Sequence, residues 1–157
     1  MQVLMNDNVF LKKGFKISTD KHLLDLEMIY NYLHGESYWS KGIPVEKVHI
    51  SIENSICFGV YKDDKQVGFA RIISDNATFA YLCDVFILRD YRGQGLSKWL
   101  MQTILAHPDL QGLRRWVLAT GDAHGLYKQF GFTQINNPEI WMSIYTPFKT
   151  DQEKAKK

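Results

Sequence analysis

Cysteine is scarce in this chain: 157 residues hold two, Cys57 and Cys83, 26 positions apart and in no CxxC pair. That excludes a small secreted domain stapled by disulfides and points to a reducing, cytoplasmic setting. No stretch approaches the ~18 to 20 apolar residues of a membrane span. Residues Met1 to Lys13 interrupt their apolar positions with Asn6, Asp7 and Asn8, so they carry no signal-peptide core, and a soluble, untargeted protein with no membrane partner is expected. An excess of one charge is also lacking. Lys and Arg number 19 against 17 Asp and Glu, and the last nine residues, with four lysines against Asp151 and Glu153, account for the whole difference. Nucleic acid, which needs a basic footprint across several phosphates, is not an expected partner. No His, Cys, Asp or Glu grouping has metal-ligand spacing, and no metal is expected.

What the chain does have is core material. With 45% hydrophobic and 13% aromatic residues at this length, one domain can bury roughly 68–70% of its unfolded surface. We expect that domain over residues 1–148 and a basic, disordered tail over 149–157. Phe15 to Ser18 alternates as a strand. Thr19 and Asp20 precede helical spacing at Leu23, Leu26 and Leu33, and Pro44 opens a second helix that stops at Asn54. Three strand-like runs follow, Ile56 to Lys62, Gln66 to Ser74 and Thr78 to Leu88, joined by hairpin-sized links. The third is apolar almost throughout, as in a central strand covered on both faces. A helix from Leu96 ends before Pro108, and Arg115 to Ala119 is a buried strand. Ala123 to Phe130 is a short helix, and Phe132 to Ile135 and Trp141 to Tyr145 are expected closing strands. The fold class is mixed α/β: a sheet that begins as an antiparallel meander, gains a central parallel pair and is flanked by about four helices.

The corner between the third strand and the Leu96 helix reads Arg89-Asp90-Tyr91-Arg92-Gly93-Gln94-Gly95-Leu96-Ser97. Two glycines one residue apart permit a tight turn whose N–H groups, with the helix terminus behind them, can cradle an anion. Arg92 adds a charge suited to phosphate. Taken alone, the six-residue match is better read as a turn that merely joins strand to helix. A P-loop is absent. The dinucleotide pattern GxGxxG fails at Lys98, which leaves a Rossmann-like binder as a weaker alternative.

Arg92-Gly93-Gln94-Gly95-Leu96-Ser97 resembles the Q/R-x-x-G-x-G/A signature of the GNAT superfamily of acyl-CoA N-acyltransferases. Tyr127-Lys128-Gln129-Phe130-Gly131-Phe132 resembles that family's second mark, Tyr-x-x-x-Gly-Phe, and the likeness spans roughly residues 15 to 146. It implies an acetyl-CoA-dependent N-acetyltransferase that passes an acetyl group directly to a primary amine, carried by a small molecule or a peptide, and works as a monomer or homodimer. By the same resemblance, Arg92, Gly93, Gln94, Gly95, Leu96 and Ser97 would hold the coenzyme pyrophosphate, and Phe86 and Ile87 would pair with pantetheine through their main chain. Thr120 stands where the family often has Asn. Ser97 replaces the usual Gly or Ala.

Tyr127 matches the family's general acid, which protonates the leaving thiolate; a core aromatic would be the plainer account of the residue alone, but its Gly131-Phe132 partner favours function. The family's Glu-Asp pair is Cys83-Asp84 here, so the glutamate is missing. Asp84 is then either a structural anchor, paired with Arg71, or a base acting through water. His124 is a second candidate base. Tyr38 and Trp39, with Cys83, fall where the acceptor pocket is shaped. The missing glutamate also leaves open a non-catalytic acyl-CoA-binding regulatory module.

Overall fold

The computed structural model describes residues 4–156; the first residues of the expected domain and the last of the tail lie outside them. Five strands form one sheet in sequence order: β1 (Phe15–Ser18), β2 (Ile56–Lys62), β3 (Lys65–Ser74), β4 (Phe79–Ile87) and β5 (Arg115–Leu118). The first four pair antiparallel, and β4 and β5 pair parallel. Tight links dictate the meander. Asp63 and Asp64 both take left-handed φ (46° and 69°), the conformation a two-residue hairpin requires. The β4 to β5 connection must cross over, and α4 (Leu96–Leu105) makes that crossing.

Apolar side chains on the two sheet faces build two cores. One gathers Phe58, Val60, Ala70, Ile72, Leu82 and the buried stripe of α4, Leu96, Leu100 and Ile104. Phe10, from α1 (Asp7–Lys12), stacks on Trp99 at 4.5 Å, and Asp7 accepts the Trp99 indole N–H at 2.6 Å. The sequence pattern missed this first helix, which is too short to show a period. The other core packs Ile29, from α2 (Leu26–Asn31), and Val48 and Ile52, from α3 (Val45–Glu53), against Cys57, Phe69 and Phe86. Each fully buried large aliphatic side chain contributes about 1.5–3 kcal/mol, so these faces outweigh the weak propensity of helices only six to ten residues long.

Three expectations change. The single helix over Leu23 to Leu33 is broken. Asp20 caps a 3₁₀ turn at Lys21–Leu23, Asp25 caps α2 anew, and the chain widens into a π turn over Tyr32–Glu36. The closing strands at Phe132 to Ile135 and Trp141 to Tyr145 do not form, and the sheet stops at β5. An alternating apolar run has strand composition, but a strand exists only where a neighbour accepts its hydrogen bonds.

The tail also has structure. Thr150 and Glu153 make a reciprocal capping box at α6 (Asp151–Lys154), after the short helix α5 (His124–Lys128). Asp151 lies 2.8 Å from His34 Nε2, while His34 Nδ1 lies 2.8 Å from the Ile43 carbonyl. No helix among the described residues is long and apolar enough to cross a membrane.

Asp151, then the Ile43 carbonyl, raise the His34 pKa, and His34 lowers that of Asp151. Docking of the tail is therefore fully favoured below the ordinary histidine value of about 6.5 and is lost as pH rises through the higher folded value. At the acid end it is lost as pH falls through the lowered Asp151 value. Amide exchange over 151–154, corrected for intrinsic rates, should accelerate above neutral pH, and His34→Ala should make it fast throughout.

Candidate active site

β4 and β5 pair only from Phe79↔Arg115 to Leu82↔Leu118, although β4 runs on to Ile87. Beyond Leu82 the two strands part. The cause lies on the other side of β4, where the β3 register slips between Phe69↔Phe86 and Arg71↔Cys83 and leaves an extra β4 residue in a bulge. Asp84 sits in that bulge with φ 54°, a left-handed conformation that Asp tolerates better than most residues.

The Asp84 side chain is buried, and both its oxygens are committed. Oδ2 accepts Arg71 Nε at 2.9 Å, and Oδ1 accepts the Trp39 indole N–H at 2.9 Å. Arg71 also donates to Ser55 Oγ at 3.1 Å. Of the two roles the sequence allowed, this geometry favours the anchor: each oxygen already accepts a hydrogen bond, and the buried side chain lies outside the cleft lining. Breaking such a buried pair strands a charge, at a cost of about 3–5 kcal/mol.

Past the last β4/β5 pair, between β4 and α5, lies a cleft of about 750 Å³. One wall is the lip of β4, Val85, Phe86 and Ile87. The other is the start of α5, with Asp122, Ala123, Leu126 and Tyr127, and the loop bearing Glu36, Tyr38 and Trp39 closes one side. Tyr32 stacks on Phe86 with centroids 3.8 Å apart. Tyr38 bridges the mouth: its hydroxyl accepts the Gly121 N–H at 2.7 Å and donates to Asp122 at 3.3 Å.

At the Ser97 end of the cleft, α4 presents its N-terminus. Gly93 and Gly95 both have left-handed φ, 78° and 84°, and Gly95 is the N-cap without a side-chain cap bond. The first intrahelical donor is Trp99, bonded to the Gly95 carbonyl. The preceding amides of Leu96, Ser97 and Lys98 are therefore left to an external acceptor. Leu96 is buried by its side chain, so only its backbone serves the loop.

Tyr127 is 8% exposed, in edge contact with Phe132, and among the described residues its hydroxyl has no hydrogen-bond partner. Burial, with Tyr38 and Asp122 adding, pushes its pKa up to about 12, so it holds its proton at any physiological pH.

Arg92 lines the cleft, and its guanidinium donates to the Ile87 carbonyl at 2.8 Å and to the Tyr32 hydroxyl at 3.0 Å, so it also braces the loop against the strand end. Other sequence candidates lie outside the lining. Gln94 bonds the Tyr91 carbonyl. Thr120 does not line the cleft, because its hydroxyl accepts the Ala123 and Asp122 amides and starts α5. Cys83 lies outside the lining, its Sγ 3.4 Å from the Arg71 carbonyl, and burial pushes its thiol up to about 12. His124 is exposed and outside the lining as well.

Tyr32, Glu36, Arg89 and Asp122 line the cleft without having been singled out in the sequence. Glu36 and Asp122 carried no sequence signal, since each is one acid in a polar loop. For Tyr32 the hint was its place one residue before Leu33 at the end of the helical spacing.

Two substitutions test this construction. Arg71→Met should lower unfolding free energy in urea by about 3 kcal/mol or more, and Gly95→Leu should weaken anion binding at the loop. A Cβ at Gly95 would lie 2.9 Å from the Met5 methyl, and its φ is costly for any L side chain. A Gly93→Ala control, with open space around its Cβ, should isolate the φ strain of about 1–3 kcal/mol.

Known proteins are similar to this chain. Residues 26–132 match the Acetyltransferase (GNAT) family. The chain is 33% identical over 135 residues to FG08082 of Gibberella zeae, named as an acetyltransferase, covering 72% of this chain and 75% of that protein. It is 36% identical over 140 residues to ycf52 of Pyropia yezoensis, named as an N-acetyltransferase, covering 81% and 74%. The crystal structure of a GNAT-family protein from Xanthomonas campestris, xcc2953, is similar at 51% identity and TM-score 0.85, covering 87% of this chain and 96% of that one. The matched core, the mixed sheet and the two sequence marks agree: the chain belongs to the GNAT family of acetyltransferases and is an acyltransferase.

Proposed function

We propose that the protein transfers an acetyl group from acetyl-CoA directly to a primary amine in the parted β4/β5 cleft. The observation that carries this reading is the cleft itself, open between two parallel strands with unbonded helix amides at the Ser97 end and Tyr127 on the opposite wall. The amides of Leu96, Ser97 and Lys98 suit a pyrophosphate, and the lip Val85 to Ile87 suits an extended amide-bearing arm added alongside the strand. Arg89, exposed at the same end, adds positive charge.

The acceptor side carries the opposite sign. Glu36 and Asp122 are the carboxylates of the lining and draw in an ammonium group. An alkyl amine near pKa 10.4 must shed a proton to attack, at a cost of roughly 4.6 kcal/mol at pH 7. With Asp84 occupied, one of these two carboxylates takes that proton, directly or through water. The nitrogen lone pair then forms the bond to the acetyl carbon, the C–S bond breaks with its electron pair leaving on sulfur, and the second proton that the nitrogen sheds on becoming an amide passes to that sulfur through Tyr127 or water, giving the free thiol.

Tyr127 meets that developing charge. Against a thiol near 8.5, a phenol at about 12 is the weaker acid by about 3.5 units. Tyr127 therefore stabilises the departing sulfur by donating a hydrogen bond, and it yields its proton only as another reaches it. Such a donor in a water-poor site is worth about 10²–10³ in rate.

Calorimetry with coenzyme A and release of free thiol from acetyl-CoA across an amine panel test the reading; absence of coenzyme binding would overturn it. Tyr127→Phe should lower kcat about 100-fold with the coenzyme dissociation constant within about threefold, and unchanged turnover would remove its role. Glu36→Gln with Asp122→Asn should raise KM for cationic acceptors far more than for acetyl-CoA.

A further inference from the structure

Two buried hydroxyls line the cleft, those of Tyr127 and Tyr32. The Tyr32 ring is held on two sides. Phe86 stacks on it with centroids 3.8 Å apart and planes 9° from parallel, and Trp39 lies tilted against it at 6.3 Å. Its backbone is fixed as well. Tyr32 opens the widened turn Tyr32–Glu36, in which the Ser37 amide reaches back to the Tyr32 carbonyl at 2.8 Å and the Ser37 hydroxyl to that of Leu33 at 2.6 Å. Widened turns of this kind recur at functional sites. A ring held in this way carries its hydroxyl to one place.

The hydrogen bonds of that hydroxyl are half used. Its oxygen accepts the Arg92 guanidinium at 3.0 Å, and among the described residues its O–H donates to nothing. An ammonium approaching the oxygen would meet a positive charge there, whereas an oxygen acceptor meets a free donor. The bond from Arg92 also polarises the phenol and strengthens its O–H as a donor. Burial nevertheless raises the Tyr32 pKa against the opposing pull of Arg92, with Glu36 and Asp122 adding to the rise, so the proton stays in place. Asp122 acts on Tyr127 in the same sense. Both phenols therefore stand within electrostatic reach of one carboxylate, at the acceptor end of the cleft.

We infer that Tyr32, braced by Arg92, is a further catalytic residue: its O–H donates to the carbonyl oxygen of the acyl thioester and stabilises the charge that gathers there as the amine attacks. The inference rests on the acetyl-transfer reading above. As the nitrogen lone pair adds to the carbonyl carbon, the C=O π pair moves onto oxygen, where Tyr32 meets it with a hydrogen bond and keeps its own proton. That pair re-forms C=O when the C–S bond breaks with its electrons on sulfur. Tyr32 and Tyr127 thus serve, in turn, the two atoms that carry negative charge during the transfer. A donor already fixed before charge develops needs no reorganisation at the moment of reaction.

Tyr32→Phe keeps a ring against Phe86 and removes the donor. It should lower kcat about 100-fold while the coenzyme A dissociation constant stays within about threefold. Binding reads the same contact without turnover. Calorimetry should show acetyl-CoA bound to the wild type about two- to tenfold more tightly than S-ethyl-coenzyme A, a thioether that lacks the carbonyl oxygen. Tyr32→Phe, with unchanged far-ultraviolet circular dichroism, should abolish that preference. A wild type that binds no coenzyme A overturns the acetyl-transfer reading and this assignment with it. Coenzyme binding and thiol release by the wild type, with kcat unchanged in Tyr32→Phe, overturn the Tyr32 assignment alone. So does a preference for acetyl-CoA that survives the substitution, or a loss of coenzyme affinity that matches the loss of kcat, the mark of a hydroxyl that only braces Arg92. Should the variant lose its fold, equal affinity of the wild type for the two ligands overturns the assignment.

Discussion

The ion pair between Arg71 and Asp84 is the constraint from which the site follows. A carboxylate in an otherwise apolar strand must be paired, and the pairing fixes where β4 can bulge. The bulge turns β4 away from β5, and the parting of two parallel strands exposes main-chain groups that a regular sheet would consume. Trp39 extends the same constraint across the cleft, because its indole adds a second hydrogen bond to Asp84. One carboxylate thus ties together β3, β4 and the loop at the cleft mouth, and the left-handed backbone at Asp84 is held by the partners its side chain recruits.

Much of the fold was legible where a pattern repeats often enough to be read. Strands β2 to β4 and helix α4 stand within a residue or so of the sequence reading, because alternation over seven to ten residues and a four-residue stripe are hard to mistake. The segment Leu23 to Leu33 misled because its apolar spacing continues across Leu24 and Asp25, while Asp25 ends one turn and caps the next. The closing strands misled for the opposite reason: composition reports what a segment is suited to, and pairing depends on a neighbour.

The site was legible in its loop and much less so in its walls. Gly93 and Gly95 announce a backbone conformation, and Tyr127 comes with Gly131 and Phe132 as a unit. Glu36 and Asp122 come from loops far apart in sequence, and only the folded chain makes them neighbours of one cleft. Arg92 shows a subtler limit. Its charge was visible in the sequence, but its direction was not, and it serves by fastening the loop to Ile87 and Tyr32. Thr120 likewise turns its hydroxyl oxygen to the Asp122 and Ala123 amides in the turn before α5, an engagement the sequence did not show.

The N-terminal helix takes on a different meaning beside the glycine loop. Met5 fills the space where a Gly95 Cβ would stand, Gln102 holds both the Met5 amide and its carbonyl, and Asp7 and Phe10 grip Trp99 in the first turn of α4. The unbonded amides at the start of α4 are therefore backed by a segment some ninety residues earlier in the chain. Whatever is fused ahead of that segment, or cut from it, acts on the rigidity of the glycine loop from behind, without touching the cleft.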